Sequence, residues 1–235
     1  MTDWLSAFEE SLAAFEPAGH DRSALGLAAA GWAERARDEH ASIAAFDRFS
    51  LELLAVAAPP ELLEGAHVAA LDEIRHSRLA FALASTYAGA PIGPGPLDVD
   101  RALEHVGSLA QLAEATLVEG CIGESLAAIE AEWAAEAATE PAARAALQII
   151  SADEARHAEL AWATVRWASA EDPALTERLS AVFEEQLARA VAFAETDCSS
   201  VDLTAFGLLR PVRRMALRRA AARDILEPAA RVAFG

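Results

Sequence analysis

A short motif with the residue types of a metal site occurs twice in the sequence. It reads DEIRH at residues 72 to 76 and DEARH at residues 153 to 157. Residues three positions apart lie about 60° apart around an α-helix, so the glutamate and the histidine of each copy project to the same side. A carboxylate and an imidazole that point to one place are suited to binding a divalent metal ion. Each copy is therefore expected to supply two ligands to one point in a helical core.

A lone glutamate precedes each copy at almost the same distance. Glu39 lies 34 residues before Glu73, and Glu119 lies 35 residues before Glu154. Both lone glutamates interrupt an apolar helix face, where ionised carboxylates without a cation would be strongly unfavourable. Four carboxylates and two imidazoles form a ligand set for two divalent metals, which would supply that cation. The predicted metal ligands are Glu39, Glu73, His76, Glu119, Glu154 and His157.

The segment EGCIGES contains two glutamates that compete for the position on the third long helix. Glu119 and Glu124 are five residues apart and thus about 140° apart around a regular α-helix, so only one of them easily faces the metals. Glu119 is preferred because the small and apolar residues that follow it mirror those after Glu39. Glu124 stays open as the alternative ligand or as an additional one.

Long helices are expected to carry these residues. Ala and Leu dominate the composition, β-branched runs are almost absent, and Gly and Pro occur in clusters that separate the segments. An all-α fold follows from this composition. The predicted helices cover about residues 2 to 15, 23 to 57, 60 to 88, 100 to 138, 141 to 169 and 173 to 196, with one or two more in the Arg-rich tail.

The connections between the predicted helices indicate their arrangement. Pro59 and Pro60 mark a tight turn between the first two long helices, and Pro141 begins the fourth. The sequence GAPIGPGPLD forms a longer connection, suited to crossing the bundle between the second and third helices. We predict a single domain over residues 1–235. Its core would be a four-helix bundle of two helical hairpins at about residues 23 to 170, followed by a further helix and the Arg-rich tail at about 173 to 235.

Charge and composition limit the classes of partner. The net charge of −18 argues against DNA and anionic membranes as partners. All 19 basic residues are Arg, and seven of them follow residue 209, where we expect contact with the protein's own acidic body; an RNA or lipid contact is the alternative.

The sequence also bears on the location of the protein and on the role of its cysteines. The chain begins without a basic region ahead of an apolar stretch, and no apolar run is long enough to span a bilayer, so a cytoplasmic protein is expected. Cys121 and Cys198 are too few for a zinc knuckle or a disulfide framework. Both are expected to be packing residues.

The repeated pattern resembles that of the ferritin-like diiron-carboxylate proteins. These include bacterial multicomponent monooxygenases, the small subunit of class I ribonucleotide reductase, acyl-carrier desaturases and tRNA-modifying hydroxylases. Their shared pattern is a carboxylate followed after about thirty residues by DExRH, given twice, and the resemblance covers about residues 30 to 168. It implies that the six predicted ligands bind two iron ions. Manganese or a mixed manganese and iron pair also suits a carboxylate-rich site.

The resemblance also gives the remaining motif residues a role. It implies that each aspartate accepts a hydrogen bond from the histidine of the opposite copy, Asp72 from His157 and Asp153 from His76. The motif arginines would pair with these aspartates across the bundle, which fixes the imidazole tautomer and raises its basicity. Solvent-exposed helix charges are the alternative interpretation. The four residues with this implied role are Asp72, Arg75, Asp153 and Arg156.

The implied function is the O2-dependent oxidation or hydroxylation of a small or carrier-bound organic substrate. An external electron donor and a monomeric or homodimeric state belong to this expectation. The small residues Gly120, Cys121 and Gly123 either leave a cavity for dioxygen and substrate or allow close helix packing. Iron handling or ferroxidase activity, peroxide reduction and tRNA hydroxylation are the alternative functions. The expected cavity-lining residues are Phe46, Phe81, Leu126, Ile129 and Trp162.

Overall fold

The computed structural model of the protein describes residues 20–100, 107–192 and 201–234. Within these ranges the regular structure is helical and contains no strand, which confirms the all-α prediction for this part of the chain. The helix predicted at about residues 2 to 15 lies outside the described residues, as does Cys198. No helix in the described ranges is both long enough and apolar enough to span a bilayer.

Eight α-helices follow one another along the described chain, with two π-helical segments and one 3-10 turn. Their bounds are α1 Arg22–Ala55, α2 Pro60–Ala88, α3 Leu109–Ala115, a first π segment Thr116–Glu124, α4 Ser125–Ala137, α5 Pro141–Glu171, α6 Leu175–Ala192, a 3-10 turn Thr204–Phe206, α7 Pro211–Ala221, a second π segment Ala222–Leu226 and α8 Glu227–Phe234.

Proline and capping residues determine where the long helices begin. Pro60 and Pro141 occupy the first positions of α2 and α5, where a missing backbone N–H costs nothing. The carboxylate of Glu140 caps α5 by accepting hydrogen bonds from the backbone N–H groups of Ala142 and Ala143 at 3.2 and 2.6 Å. Only short connections therefore separate α1 from α2 and α4 from α5.

The long helices pack as two pairs. Helix α1 lies along α2, and the continuous helix formed by α3, the first π segment and α4 lies along α5. The two pairs meet chiefly where α2 contacts α5. Both DExRH motifs lie in these two helices, which brings the motifs face to face.

The apolar core lies toward both ends of the helices and leaves a polar layer in the middle. One end combines the first halves of α1 and α5 with the second halves of α2 and α4, and the other end combines the opposite halves with α6 and α8. Glu39, Glu73 and Glu154 are buried near the middle of their helices, between these two ends. The largest core residues at the first end are Trp32, Phe81, Tyr87, Leu147, Ile150 and Phe206, and those at the second are Leu53, Leu117, Trp162, Leu179, Phe183 and Leu226.

The segment after α6 returns to cover α1 and α5. The indole Nε1 of Trp32 donates a hydrogen bond to the carbonyl of Phe206 at 2.9 Å. Gly207 adopts a positive φ of 75°, and a Cβ there would lie 2.3 Å from Leu147 Cδ1, so only glycine fits. In the Arg-rich tail, Arg218 donates to Glu130, and Arg213 lies over the ring of Trp133 at 5.6 Å. These arginines contact the protein's own body.

Gly120 allows the first π segment to approach α5 closely. A Cβ at Gly120 would lie 2.4 Å from Ala161 Cβ, whereas a Cβ at Gly123 would meet only the carbonyl of Val118 at 3.5 Å.

We predict that Gly120→Ala lowers the free energy of unfolding by about 1 to 3 kcal/mol through overpacking. The matched Gly123→Ala should change it by less than about 1 kcal/mol, in the stabilising direction. Urea unfolding of both variants tests this, and equal effects would contradict close packing at Gly120.

Candidate metal centre

Six side chains converge in the polar layer at the middle of the bundle. Their ligand atoms form two groups, and within each group all atoms lie within 4.8 Å of one another. Glu154 belongs to both groups, so the two are contiguous. The first group is Glu39, Glu73, His76 and Glu154, and the second is Glu124, Glu154 and His157. This buried cluster could hold a metal ion.

The imidazole of His76 faces three carboxylates at equal distances. Its Nδ1 lies 3.6 Å from oxygens of Glu39, Glu73 and Glu154. With metal–ligand bonds of about 2.1 Å, neighbouring ligand atoms around one ion lie about 3 to 3.5 Å apart. The first group therefore has close to the spacing that one coordination sphere requires.

The imidazole of His157 faces two of the same carboxylates from the other side. Its Nδ1 lies 3.1 Å from Glu154 Oε2 and 3.3 Å from Glu73 Oε1. Glu73 and Glu154 thus lie between the two histidines, whose ring centroids are 5.9 Å apart. Glu39 and Glu124 stand at opposite ends of this row, Glu39 beside His76 and Glu124 beside His157.

The aspartates of the motifs contact the outward nitrogens of the histidines. Asp153 Oδ2 lies 3.0 Å from His76 Nε2, and Asp72 Oδ2 lies 3.5 Å from His157 Nε2. Each aspartate thus belongs to the opposite copy from its histidine. The hydrogen bond to Asp153 holds a proton on Nε2 of His76 and turns its Nδ1 toward the carboxylates. Nε2 of His157 has no hydrogen-bond partner among the described residues, although Asp72 lies beside it.

The motif arginines join the two aspartates to each other. Arg156 Nη2 donates to Asp72 at 2.9 Å and to Asp153 at 2.5 Å. Arg75 Nη2 donates to Asp72 at 2.9 Å and also to Asp153. Each of the two motif aspartates is therefore bound by both motif arginines. These contacts connect α2 to α5 on the outer side of the cluster.

Unsatisfied atoms at the centre match the donor set of a divalent cation. Nδ1 of His76 and Oε2 of Glu73 are buried and have no hydrogen-bond partner among the described residues. A buried polar atom without a partner costs about 1 to 3 kcal/mol. A metal ion would satisfy both atoms, and carboxylate with imidazole is a donor combination that iron, manganese and zinc accept.

The pKa values of the cluster show how its charges are compensated by protons. Burial opposes protonation of the histidines, but neighbouring carboxylates raise the pKa of His76 to about 10 and that of His157 to about 9. Burial would raise the pKa of Glu39, but His76 and Arg35 lower it to about 2. Burial and the nearby Glu154 raise the pKa of Glu124 well above its usual range.

The prediction for the third long helix requires a correction, because the structure places Glu124 in the cluster and Glu119 outside it. The side chain of Glu119 is 61% exposed, and it accepts a hydrogen bond from Arg48 Nη2 at 2.8 Å. The comparison of the residues after Glu119 with those after Glu39 assumes a regular α-helix, but the segment that contains both glutamates is π-helical. A π turn contains an additional residue, so the helix faces that Glu119 and Glu124 occupy do not follow from regular α-helix spacing. The other five predicted ligands do converge.

Sequence reasoning also missed Arg35, which donates to Glu39 Oε1 at 3.0 Å. The four-residue spacing of the two was the available signal, because such pairs meet on one helix face.

Two cavities reach the cluster from different sides. The first has a volume of about 300 Å³ and is bordered by Glu124 and His157. The second, of about 600 Å³, is bordered by Glu39, Glu73, Glu124 and Glu154 and is covered by the segment after α6. Of the expected lining residues, Phe46 borders the first cavity, whereas the other four lie in or against the apolar core: Phe81, Leu126, Ile129 and Trp162.

Comparisons of the chain with protein-family models, with curated proteins and with solved structures find no match. The family resemblance therefore depends on the repeated motif and on the geometry of the cluster.

Two carboxylate-to-alanine variants distinguish the glutamates of the π segment. We predict that Glu124→Ala weakens Mn²⁺ binding by more than the 10- to 100-fold typical for loss of an outer partner of a metal site. Glu119→Ala removes the same charge from the same segment and should leave Mn²⁺ affinity unchanged, because Glu119 contacts Arg48 instead. Electron paramagnetic resonance of free Mn²⁺ measures both affinities. The opposite ranking would contradict the assignment of Glu124.

Metal binding should release protons from the histidines. With pKa values of about 10 and 9, His76 and His157 are protonated at neutral pH without metal, whereas a metal-bound Nδ1 carries no proton. The affinity for Mn²⁺ should therefore rise between pH 7 and pH 9 and fall as the pH is lowered. Calorimetric titration in buffers of different ionisation enthalpy counts the released protons. Binding without proton release would contradict coordination by these imidazoles.

Proposed function

We propose that the cluster holds two iron ions within a ferritin-like four-helix bundle, and that the protein uses dioxygen to oxidise or hydroxylate a small or carrier-bound organic molecule. The observation that carries this proposal is the position of Glu73 and Glu154 between the two Nδ1 atoms. Carboxylates so placed are suited to bridging two ions, each of which then has one histidine. Glu39 and Glu124 would complete the two ends.

The residues of the chain have separate tasks in this function. A reduced iron pair, when bound, supplies electrons to dioxygen. His76 and His157 would bind through Nδ1, Asp153 keeps the Nε2 proton of His76 in place, and Asp72 lies 3.5 Å from Nε2 of His157. The four carboxylates balance the charge of two divalent ions, so the loaded centre is close to neutral. The first cavity offers the space beside Glu124 and His157 in which a substrate would lie.

Electrons must come from an external donor in this proposal. Cys121 is buried, and burial raises the pKa of its thiol above the usual range, which makes it a poor redox group. A separate reductase or small electron carrier is therefore the expected partner, and manganese or a mixed metal pair stays compatible with the ligand set.

Iron handling or ferroxidase activity is the second candidate function. The second cavity favours it, because a space of about 600 Å³ bordered by charged side chains reaches four of the carboxylates directly. Such a space is suited to the passage of ions.

The tRNA-modifying alternative is less favoured, since Arg213 and Arg218 contact the protein's own residues.

The number of iron ions oxidised per chain separates the two candidates. When metal-free protein receives a 20-fold excess of Fe²⁺ in air, an oxygenase should oxidise about two ions per chain rapidly and then stop. We predict this result, and we predict its loss in Glu73→Ala but not in Glu119→Ala. Stopped-flow absorbance with a colorimetric Fe²⁺ assay measures it. Continued rapid oxidation of the excess would support the ferroxidase function instead, and no oxidation would contradict both.

A further inference from the structure

The first cavity has predominantly apolar walls and lies directly against the cluster. Phe46 and Phe49 of α1 and Leu160 of α5 are the largest apolar residues that line it. The ring of Phe46 packs edge-on against His157 with centroids 5.0 Å apart. A molecule in this cavity would thus contact the residues beside His157 and Glu124.

The cavity opens to solvent beside Glu119, so its volume limits the part of a ligand that lies inside it. Ala45, Ala115 and Ala161 border it where larger residues would fill it. Its volume is about 300 Å³, and a buried apolar cavity of about 150 Å³ holds benzene. An occupant of about twice the size of benzene is therefore accommodated.

Thr116 presents an unsatisfied hydroxyl at the cavity wall. The residue is 7% exposed, and its Oγ1 has no hydrogen-bond partner among the described residues. A threonine within a helix commonly donates to the carbonyl four residues earlier, as Thr164 does to Leu160 at 2.9 Å. Thr116 begins the first π segment and makes no such bond. Its hydroxyl is therefore available to donate to, or accept from, one polar group of a ligand.

The charges around the cavity disfavour an anion. Arg48 is shared by two carboxylates, at 2.8 Å from Glu119 and 3.6 Å from Glu52. One guanidinium thus faces two acidic side chains, whereas Glu124 and His157 border the cavity together on the cluster side. With metal bound, the charge of Glu124 is balanced, and the remaining wall still carries an excess of one carboxylate. A ligand carboxylate or phosphate would meet this excess negative charge.

Building on the proposed function, we propose that the first cavity binds the substrate and selects an uncharged, carbon-rich molecule, about twice the size of benzene, with a single hydroxyl or carbonyl group. The apolar walls hold the carbon frame beside the cluster, and Thr116 Oγ1 forms a hydrogen bond to the polar group. Thr116 is thus a residue that determines substrate specificity.

Three probes with one ring system test this selection: 2-naphthol, naphthalene and 2-naphthoate. Binding is measured by fluorescence titration or calorimetry on metal-free protein and on protein loaded with Zn²⁺, which has no redox chemistry. We expect 2-naphthol to bind about 5-fold more tightly than naphthalene, the factor that a neutral hydrogen bond supplies. On the Zn²⁺-loaded protein the 2-naphthoate anion should bind more weakly than both. Equal binding of all three, tighter binding of the anion, or no binding would overturn the proposal.

Matched variants test whether the preference for 2-naphthol depends on the hydroxyl of Thr116. Thr116→Val keeps the shape and removes the hydroxyl, so the preference for 2-naphthol over naphthalene should disappear, and Thr116→Ser should restore it. Thr164→Val makes the same change outside the cavity and should alter neither affinity. Ala45→Phe adds a ring to the cavity and should weaken binding of both neutral probes at least 10-fold. A preference that survives Thr116→Val would overturn the role of Thr116.

These experiments use no dioxygen and no iron, so their outcome is independent of the iron oxidation assay. Failure of probe binding with normal iron oxidation would reject the cavity assignment alone. Normal probe binding without iron oxidation would reject the proposed reaction and leave the binding site.

Discussion

The burial of carboxylates in the middle of an apolar helical bundle is the constraint on which the rest of the structure depends. Glu39, Glu73 and Glu154 lie between two apolar ends, where an ionised carboxylate costs several kcal/mol unless a cation is close. Arg35 and two imidazoles supply part of this compensation. Nδ1 of His76 and Oε2 of Glu73 still have no hydrogen-bond partner among the described residues. Divalent cations would complete the compensation that the side chains leave unfinished.

The same contacts that orient the histidines hold the helix pairs together. His76 belongs to α2 and its partner Asp153 to α5, and the motif arginines reach from each of these helices to the aspartate of the other. A metal ion between the carboxylates would join α1, α2 and α5 again on the inner side. Metal binding and stability of the fold are therefore expected to be coupled, since ligands supplied by separate helices converge only in the folded chain.

Helix starts and site residues could be predicted from the sequence where the signals are local and the helices regular. Pro60 and Pro141 located two helix starts, and the repeated DExRH motif located Glu73, His76, Glu154 and His157 through simple helix geometry. The ligand on the third long helix could not be predicted in this way. The angles used assume 3.6 residues per turn throughout, and we recognise no residue pattern that indicates a π-helix at Thr116–Glu124. In this segment the structure places Glu124, not Glu119, in the cluster. The single-domain organisation and the enzymatic activity stay predictions.

X-ray anomalous scattering from crystals of the Mn²⁺- or Fe²⁺-loaded protein tests the central claim most directly. Two peaks about 3.5 to 4 Å apart are predicted, one beside His76 and one beside His157, with Glu73 and Glu154 between them. Glu124 should contact the metal beside His157, and Glu119 should keep its contact with Arg48. A single peak, a metal bound by Glu119, or the absence of any peak in the polar layer would contradict the account.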